Sequence, residues 1–565
     1  MSNVQQPHSV EPIVVAPTLG LNSAIQLKHL LIVVGVGAFF LYHNYIPLFH
    51  SDLWGHVSYG NWILEQRVLP EYDPFVPLAE GVRLVDTAWL SQVAFALVER
   101  WGTAEALSHV FAAIALLTYL GFARLFYRQS GSTGIAFFSA LLVWFIAWSR
   151  HAVIRPENFG LLCFAALMWL IVSSRQHEPR HPASSGRSDG GFSWGVWIGV
   201  PLLFVAWANL HGSFIVGLAM LGCFFAGRFI EALWCQRSFV GALCDRSVRR
   251  WLVLSELAVC GTLVNPYGID LLIQTVLFPA NSNLKDLLEW QPLVLMSSAG
   301  LQVGLSWLLM TVVLRHSRVR VRPADVLLLA VFTLAVCMRS RMVTWYAPVM
   351  VAVLLPHLTD VLNRLTRSLP ARSPSILGRL MSRTSISYTA VAAVVIWLSF
   401  ALAPASQLVL GGTARSAGRL YNRDTPIGVT NHLREHPPMG QIANPQWWGD
   451  WLVWNGPPEL EVFMTTNAIH VAPRKVWNDY MAIAHGQPGL EQRLERYRIN
   501  TIVTHKDHQR KLTQKVRGLK GWEVSYEDDM GLVATRMASQ GMQSPSSEPP
   551  KALHAQADAI DLKSH

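Results

Sequence analysis

Long apolar segments recur along most of this chain, and short polar segments separate them. A helix that crosses a bilayer needs about 20 mostly apolar residues. The segments before residue 411 that approach this length predict an α-helical polytopic membrane protein with about 11 transmembrane helices. The first segment has no clear cleavage site, so it is predicted to stay as a membrane helix. The predicted spans are 27–49, 104–123, 134–149, 158–174, 193–209, 212–230, 251–265, 299–314, 324–338, 343–362 and 387–410.

A different pattern begins at residue 411, where apolar strand candidates alternate with helical segments. This alternation is typical of a small α/β domain, predicted over 411–537. Within it, 522–536 predicts a β-hairpin that turns at Asp529-Met530-Gly531. The final segment, 538–565, is dominated by Ser, Gln, Pro and Ala, which is typical of a disordered tail. The strand candidates are 440–444, 461–466 and 499–505, and the helical candidates are 426–435, 473–485, 488–498 and 508–518.

The distribution of basic residues predicts the orientation of the chain. If the N-terminal segment 1–26 is cytoplasmic, the inner connections carry most of the arginines, and the short outer connections carry few basic residues. Basic residues concentrate in cytoplasmic loops. We therefore expect a cytoplasmic N-terminus, a transmembrane domain over 27–410 and a first outer loop over 50–103. The domain after it is then extracytoplasmic, and the protein is a multi-pass protein of the cell (inner or plasma) membrane.

Composition narrows the function classes. Only 15% of the residues are charged, against about 25% in soluble proteins, which agrees with a membrane protein. The net charge of +10 arises from the inner connections, and no basic arm interleaved with aromatics indicates a nucleic-acid partner. The six cysteines show no zinc-site spacing. No Ser/His/Asp signature indicates a soluble-substrate hydrolase.

The outer connections mix acidic, basic, amide and aromatic residues, whereas the inner connections are plainly basic. Ionisable residues at a membrane are costly to keep there and are functional candidates by default. The asymmetry therefore predicts an active face at the outer lipid–water boundary. In the first outer loop, Asp52 and His56 are four residues apart, so they share one face of a helix.

Asp52 is the central catalytic candidate. A carboxylate at this place can be the general base for a hydroxyl nucleophile, or it can hold a divalent cation together with His56. The alternative is a helix start with Ser51 or Asp52 as the N-cap. Asp73, which precedes a proline, either joins this set or caps a turn, and Asp86 allows the same two interpretations.

The other outer connections carry arginines and a histidine. Arg150, Arg155 and Arg341 can bind phosphate through their guanidinium forks, or they can snorkel to the membrane surface. His211 lies in a turn too short for a loop, so it either points inward from the membrane surface or only caps and packs. A tryptophan cluster in the C-terminal domain suits sugar stacking, or packing onto the outer loops or bilayer. It consists of Trp447, Trp448, Trp451 and Trp454.

Eight short motifs follow one another along the chain from residue 52. They are 52-DLWGHVSYGNWI, 70-PEYDPF, 155-RPENFGLL, 207-WANLHGSFIVGL, 265-NPYG, 444-NPQWWGDWLVW, 457-PPELEVFMTT and 522-WEVSYEDD. In this order they resemble the GT-C superfamily of membrane glycosyltransferases, in particular a branch of bacterial polytopic membrane proteins. The resemblance covers most of residues 27–537, and the order of the motifs is more specific than any one of them.

The resemblance implies a polyprenyl-phosphate sugar as the donor, in contact with membrane lipid, and a glycan, lipid or protein as the acceptor. It implies that Asp52 deprotonates or orients the acceptor hydroxyl, which attacks the anomeric carbon, typically with inversion. The outer arginines would neutralise the departing lipid phosphate. The predicted catalytic set is Asp52, His56 and Asp73, and the predicted substrate-binding set is Arg150, Arg155, His211, Arg341 and Trp54.

The acidic residues of the first loop depart from the superfamily pattern. Many members carry two adjacent acidic residues there, whereas Ser51-Asp52-Leu53 offers one. Asp73 or Asp86 would have to supply the second. A divalent cation is therefore left open as a cofactor, and no other cofactor is predicted.

Two other functions compete with the transferase. A membrane transporter or lipid flippase would place charges in the middle of its spans and would be built from repeats, and the sequence has little of either. A non-catalytic envelope scaffold would bind a cell-wall partner through the C-terminal domain. In that case Asp52, Arg150 and His211 would be individually dispensable.

Overall fold

A computed structural model describes most of the chain, and its described ranges are 24–79, 81–150, 153–175, 192–368 and 376–537. Most of the predicted cytoplasmic N-terminus and the whole predicted tail lie outside these residues. The described chain consists of a helical region, which ends at residue 410, and a smaller α/β region after it.

The helical region forms because an apolar segment in lipid satisfies its backbone hydrogen bonds internally as a helix. Its helices are α1 (Leu27–Tyr45), α2 (Leu53–Gln66), α3 (Trp89–Ser130), α4 (Thr133–Ile146), α5 (Glu157–Arg175), α6 (Trp194–Leu210), α7 (Phe214–Gln236), α8 (Phe239–Cys244), α9 (Arg246–Thr262), α10 (Ile269–Leu277), α11 (Ser298–His316), α12 (Pro323–Met338), α13 (Val343–Ser368), α14 (Ile376–Ser382), α15 (Ile386–Ala401) and α16 (Pro404–Leu410). A two-stranded ladder of β1 (Ile25–Gln26) and β2 (Thr384–Ser385) joins the starts of α1 and α15.

Several helices can cross a membrane by length and composition. In the described part of the chain, five are long and apolar enough: α1, α3, α7, α11 and the helix over Ser340–Arg367. The predicted span 251–265 falls on α9, which is not among the apolar helices and begins with Arg246, Arg249 and Arg250. Conversely, the apolar helix over Ile269–Ala280 lies in none of the predicted spans. The helical polytopic fold class is confirmed, and the number of spans stays a prediction.

Helix α2 starts directly after Asp52 and packs along α3. Asp52 stands at the N-cap position, but its side chain makes no capping hydrogen bond. The N-cap alternative therefore does not account for this residue. The two helices approach each other so closely that a Cβ at Gly60 would collide with the carbonyl oxygen of Gln92. This contact holds the start of α3 beside the face of α2 that carries Asp52 and His56.

The α/β region contains a four-stranded sheet with the order β3-β4-β6-β5. Strands β3 and β4 pair in parallel, and the other pairs are antiparallel, as the predicted hairpin requires. The candidate strand 461–466 makes only an isolated bridge, between Ile442 and Val462. The strands are β3 (Ile442–Ala443), β4 (Thr501–His505), β5 (Trp522–Glu527) and β6 (Gly531–Arg536), and the helices are α17 (Ala417–Leu420), α18 (Ile427–Glu435), α19 (Gln446–Asn455), α20 (Arg474–Ala484), α21 (Leu490–Arg496) and α22 (Arg510–Arg517).

Tryptophans of α19 join the α/β region to α2. Trp54 of α2 stacks on Trp454, with ring centroids 4.0 Å apart, and meets Trp451 edge-on at 5.4 Å. Trp448 and Trp451 are buried, which supports the packing interpretation of this cluster. Trp54, predicted to bind substrate, is itself fully buried in the contact between the two regions. Its ring therefore serves packing in this structure and is not open to a substrate.

Candidate active site

Three arginines converge on one carboxylate. Arg150 Nη1 and Arg155 Nη1 lie 2.7 and 2.9 Å from Glu289 Oε2. Arg341 Nη1 lies 3.1 Å from Glu289 Oε1. The arginines come from the α4–α5 and α12–α13 connections, and Glu289 comes from the connection between α10 and α11. The structure thus brings together all three arginines that the sequence predicts to bind phosphate.

Two further carboxylates complete the cluster. Asp52 Oδ2 forms an ion pair with Arg155 Nε at 2.6 Å. Glu157 Oε2 lies 2.9 Å from Arg150 Nη2 and 3.5 Å from Arg341 Nη2. Three guanidinium groups therefore face three carboxylates, and the cluster as a whole is close to neutral. We call these six residues the arginine cluster: Asp52, Arg150, Arg155, Glu157, Glu289 and Arg341.

Burial and charge act in opposite directions on the arginine cluster. Burial on its own would raise the pKa of Glu289, but the three arginines outweigh it and hold that pKa well below its ordinary value. Burial would likewise lower the pKa of Arg155, but Asp52 and Glu289 outweigh it and raise that pKa. Because each shift favours the charged form, Glu289 and Arg155 remain ionised at neutral pH.

His211 lies between α6 and α7, next to the arginine cluster. Its Nδ1 accepts a hydrogen bond from the backbone nitrogen of Ser213 at 3.1 Å. Burial, assisted by the positive charges of Arg341 and Arg155 and opposed by Glu157, lowers the pKa of His211 to about 4. The ring is therefore neutral near pH 7, with its proton on Nε2. Both interpretations of His211, an inward-pointing side chain and a local capping residue, fit this arrangement.

His56 lies one turn after Asp52 but faces a second set of polar groups. The amide Nε2 of Gln92 lies 3.4 Å from His56 Nδ1 and donates to Asp86 Oδ1 at 3.1 Å. Burial raises the pKa of Asp86 to about 6, although hydrogen bonds from Ala88 and Gln92 oppose that shift. Gln92 thus bridges the histidine to a buried carboxyl group.

Asp73, predicted as catalytic, lies behind α2 as a turn residue. Its Oδ2 accepts a hydrogen bond from the Tyr59 hydroxyl at 2.5 Å, and its Oδ1 accepts from the backbone nitrogens of Phe75 and Val76. Because Oδ1 caps its own turn and Oδ2 ties that turn to α2, the turn-capping interpretation accounts for this residue. The structure does not bring Asp73 into the arginine cluster.

A carboxyl group of the α/β region reaches the first turn of α2, and the sequence reasoning missed it. Asp450 of α19 is fully buried, and a Cβ at Gly55 would collide with its Oδ1. Its Oδ2 accepts from the backbone nitrogen of Thr466 at 3.1 Å and from the Thr466 hydroxyl. Within the described residues, Asp450 Oδ1 has no hydrogen-bond partner, nor has the side-chain nitrogen of Asn467, which faces the same glycine.

The environment of Asp450 keeps a proton on it. Burial, with the nearby charge of Asp52 as the next cause, raises the pKa of Asp450 to about 7, against the opposing hydrogen bonds from Thr466. A carboxyl group with this pKa holds its proton at mildly acidic pH and loses it as the pH rises through about 7. The charge of Asp52 acts on Asp450 more strongly than the charge of Asp73 does.

Asp450 predicts a specific dependence of stability on pH. An unfolded chain releases this proton near its ordinary pKa of 3.8, but the folded chain keeps it until about 7. The folded state binds more protons between these values, so its stability falls as pH rises through that window and then levels off. Asp450→Asn should remove this component. We therefore expect the melting temperatures of the two proteins, measured from about pH 5 to pH 8, to diverge with rising pH in favour of the variant. Parallel curves would contradict the assignment.

The donor set of the first loop does not fit a divalent cation. Asp52 is already paired with Arg155, and His56 faces the Gln92 amide. In the ranges that the structure describes, no group of three or more His, Cys, Asp or Glu side chains is arranged to hold a metal. We therefore assign no role to a cation here.

Glu157 and Glu289 were also missed as site residues. Both lie inside segments that stand out in the sequence, 155-RPEN and 286-DLLEWQP. The signal for them is an acidic residue in a connection that is predicted to face outward and that otherwise supplies arginines or tryptophan. Sequence spacing does not show that these two connections meet.

Comparisons with known proteins identify the fold. No protein-family model and no curated protein sequence matches this chain. Among solved structures, the Archaeoglobus fulgidus oligosaccharyltransferase tethered with an acceptor peptide is 13% identical, with a TM-score of 0.50, covering 84% of this chain and 69% of that one. ArnT from Cupriavidus metallidurans bound to undecaprenyl phosphate is 14% identical, with a TM-score of 0.50, covering 91% of this chain and 99% of that one. The resemblance in the sequence is thereby confirmed at the level of the fold: this chain is a multi-pass membrane protein with the fold of the GT-C membrane glycosyltransferases.

Proposed function

We propose that this chain is a membrane glycosyltransferase that moves a sugar from a polyprenyl-phosphate donor to an acceptor on the extracytoplasmic face. The observation that supports it best is the convergence of Asp52 with three arginines from two separate connections. The fold adds support, because a protein with a similar fold was solved with undecaprenyl phosphate bound. The acceptor belongs to one of three classes: glycan, lipid or protein.

The arginines are proposed to bind the phosphate of the donor. Guanidinium groups present paired donors that match phosphate oxygens, and each bond to a charged oxygen is stronger than a neutral one. Arg150 and Arg341 approach from opposite connections, so the phosphate would be held from two sides. As the bond to the sugar breaks, negative charge grows on the phosphate, and fixed positive groups stabilise that change.

Asp52 is proposed to accept the proton of the acceptor hydroxyl. The acceptor oxygen forms a bond to the anomeric carbon, the bond from that carbon to the phosphate oxygen breaks, and polyprenyl phosphate leaves with the electron pair. Arg155 touches both Asp52 and Glu289, so a single side chain connects the acceptor side with the phosphate side. Displacement from the face opposite the phosphate gives inversion.

Asp450 is proposed as a positioning residue for Asp52. It is buried under the first turn of α2 and makes no ion pair with a described residue. When it is protonated, Asp52 is the charged acid on that turn and no repulsion arises between the two. When it ionises, the two like charges oppose each other in a poorly hydrated place.

A test of this function follows the leaving group. The full chain would be purified into lipid nanodiscs and given a panel of polyprenyl-phosphate sugars with cell-envelope extract as the source of acceptor. Release of free polyprenyl phosphate, measured by mass spectrometry, should require both a matching donor and the extract. Because the donor that reacts is also identified, the same assay names the sugar.

Two other results would reject the proposal. Absence of release from every donor would favour the scaffold, because that function needs no leaving group. Movement of intact donor between leaflets in proteoliposomes, without cleavage, would favour the flippase. In either case the arginine cluster would have to be explained as a lipid-binding or structural element.

A further inference from the structure

The carboxylate of Glu289 is held in the manner of a bound anion. Its Oε2 accepts from Arg150 and from Arg155, and its Oε1 accepts from Arg341, at 2.7 to 3.1 Å. Arg341 also lies over the ring of Trp290, 4.6 Å from its centroid. Guanidinium groups bind carboxylate and phosphate oxygens with the same paired geometry. A carboxylate shared by three arginines therefore occupies a place that suits a phosphate.

We propose that Glu289 fills the donor-phosphate position in the unliganded protein, and that the phosphate of a polyprenyl-phosphate donor displaces it. This inference rests on the proposed function, since it concerns the donor of that reaction. It adds a regulatory element to the site: an internal carboxylate that competes with the substrate.

The charges of the arginine cluster require such a displacement. Three arginines already face three carboxylates, so the cluster has no excess positive charge to attract a phosphate. Expelling one carboxylate leaves one excess positive charge, which a phosphate anion then balances. A phosphate bound without expulsion would put at least one uncompensated negative charge in a buried place, which is costly.

Glu289 is the carboxylate best placed to leave. Glu157 belongs to the first turn of α5, and its side chain is 10% exposed. Asp52 is fixed directly before α2. Glu289 lies on a single 3-10 turn, Leu288–Trp290, between α10 and α11, and its side chain is 29% exposed. A short turn at the surface can move outward without disturbing a helix.

Movement of Glu289 would be felt by the α/β region, because the same segment is bonded to it. Asn283 Nδ2 donates to the carbonyl oxygens of Ile469 and Ala472 at 2.8 and 2.9 Å. Asp286 Oδ2 accepts from the indole nitrogen of Trp477 at 2.7 Å. The segment that carries Glu289 is thus bonded directly to the α/β region, which also supplies Asp450 against the first turn of α2.

Binding of undecaprenyl phosphate tests the inference independently of transfer. Affinity would be measured by native mass spectrometry for the wild-type chain and Glu289→Gln, which keeps the shape but removes the competing charge. We expect Glu289→Gln to bind undecaprenyl phosphate about tenfold more tightly. This is the scale expected when a ligand no longer has to displace one charge-assisted hydrogen bond. Inorganic phosphate and phosphatidylglycerol would be measured in parallel, and the gain should be largest for undecaprenyl phosphate.

Two variants with the same change of charge separate the possible causes. Glu65→Gln removes an exposed carboxylate that pairs with Arg100 and should leave the affinity unchanged. Glu157→Gln removes a carboxylate from the same cluster and should tighten binding less than Glu289→Gln. An equal gain for Glu157→Gln would show a charge effect alone and would overturn the inference.

The remaining outcomes of the binding measurement also either support or overturn the inference. If the wild-type chain binds undecaprenyl phosphate and Glu289→Gln binds it with equal or lower affinity, the inference is overturned. The proposed function stays intact in that case. If neither protein binds undecaprenyl phosphate, the lipid-phosphate donor itself is wrong. If only Glu289→Gln binds undecaprenyl phosphate, the inference is supported. The wild-type carboxylate would then compete strongly enough to prevent detectable binding.

Discussion

Asp52→Asn should abolish sugar transfer while leaving the chain folded in the membrane. Asparagine has the size of aspartate, but it accepts no proton and loses the ion pair that Asp52 makes with Arg155. General base catalysis contributes on the order of 100-fold or more to a rate. We therefore expect the rate of polyprenyl-phosphate release, at saturating donor and acceptor, to fall by at least about 100-fold.

The control for this variant is Asp507→Asn, which makes the same substitution at an exposed residue paired with Arg510. It should keep the wild-type rate. A comparison of binding then locates the defect: Asp52→Asn should still bind undecaprenyl phosphate, because the arginines, and not Asp52, are proposed to bind the phosphate. A rate for Asp52→Asn within about twofold of wild type would remove Asp52 from the chemistry and require a different general base.

Much of the fold could be predicted from periodicity. Apolar runs of membrane length became helices in the first 410 residues, and the run 499–505 and the hairpin 522–536 became β4, β5 and β6. These features are local, since each depends on the hydrophobicity and turn residues of one segment. The helix that carries Trp447 to Trp454 was not predicted, because its many aromatic residues mask the helical period.

The candidate site could be predicted only in part. The three arginines and Asp52 could be named because charged residues at the outer ends of spans are unusual. Their partners Glu157 and Glu289, and the buried Asp450, depend on which connections meet in three dimensions. The same applies to Trp54, whose motif suggested a substrate contact but whose ring packs against α19.

The site also shows why both regions are needed to form it. The arginine cluster belongs to the helical region, while Asp450 and Asn467 approach α2 from the α/β region. A substitution that separates the two regions would therefore alter the surroundings of Asp52 even if it lies far from Asp52 in the structure. Besides the tryptophan contacts of α19, the connection between α16 and α17 makes one strong contact to α3.

That contact is a buried ion pair, and breaking it should cause a large loss of stability. Arg415 Nη2 lies 2.7 Å from Glu105 Oε2, Arg415 Nε donates to the same carboxylate, and the two side chains are only 8% and 2% exposed. Glu105→Ala leaves the arginine buried without its partner, which costs about 3–5 kcal/mol in such pairs. We expect a decrease of this size in the free energy of unfolding, measured by equilibrium denaturation in mixed micelles.

An exposed ion pair of the same residue types is the control for this prediction. Glu65 and Arg100 form an ion pair with exposed fractions of 63% and 38%, so Glu65→Ala should cost less than about 1 kcal/mol. Replacing both Glu105 and Arg415 with apolar residues should recover much of the loss from Glu105→Ala, because no unpaired charge is then left buried. If Glu105→Ala costs no more than Glu65→Ala, the contact does not hold the two regions together. The attachment of the α/β region to the helical region would then depend on other contacts, such as the stacking of Trp54 of α2 on Trp454.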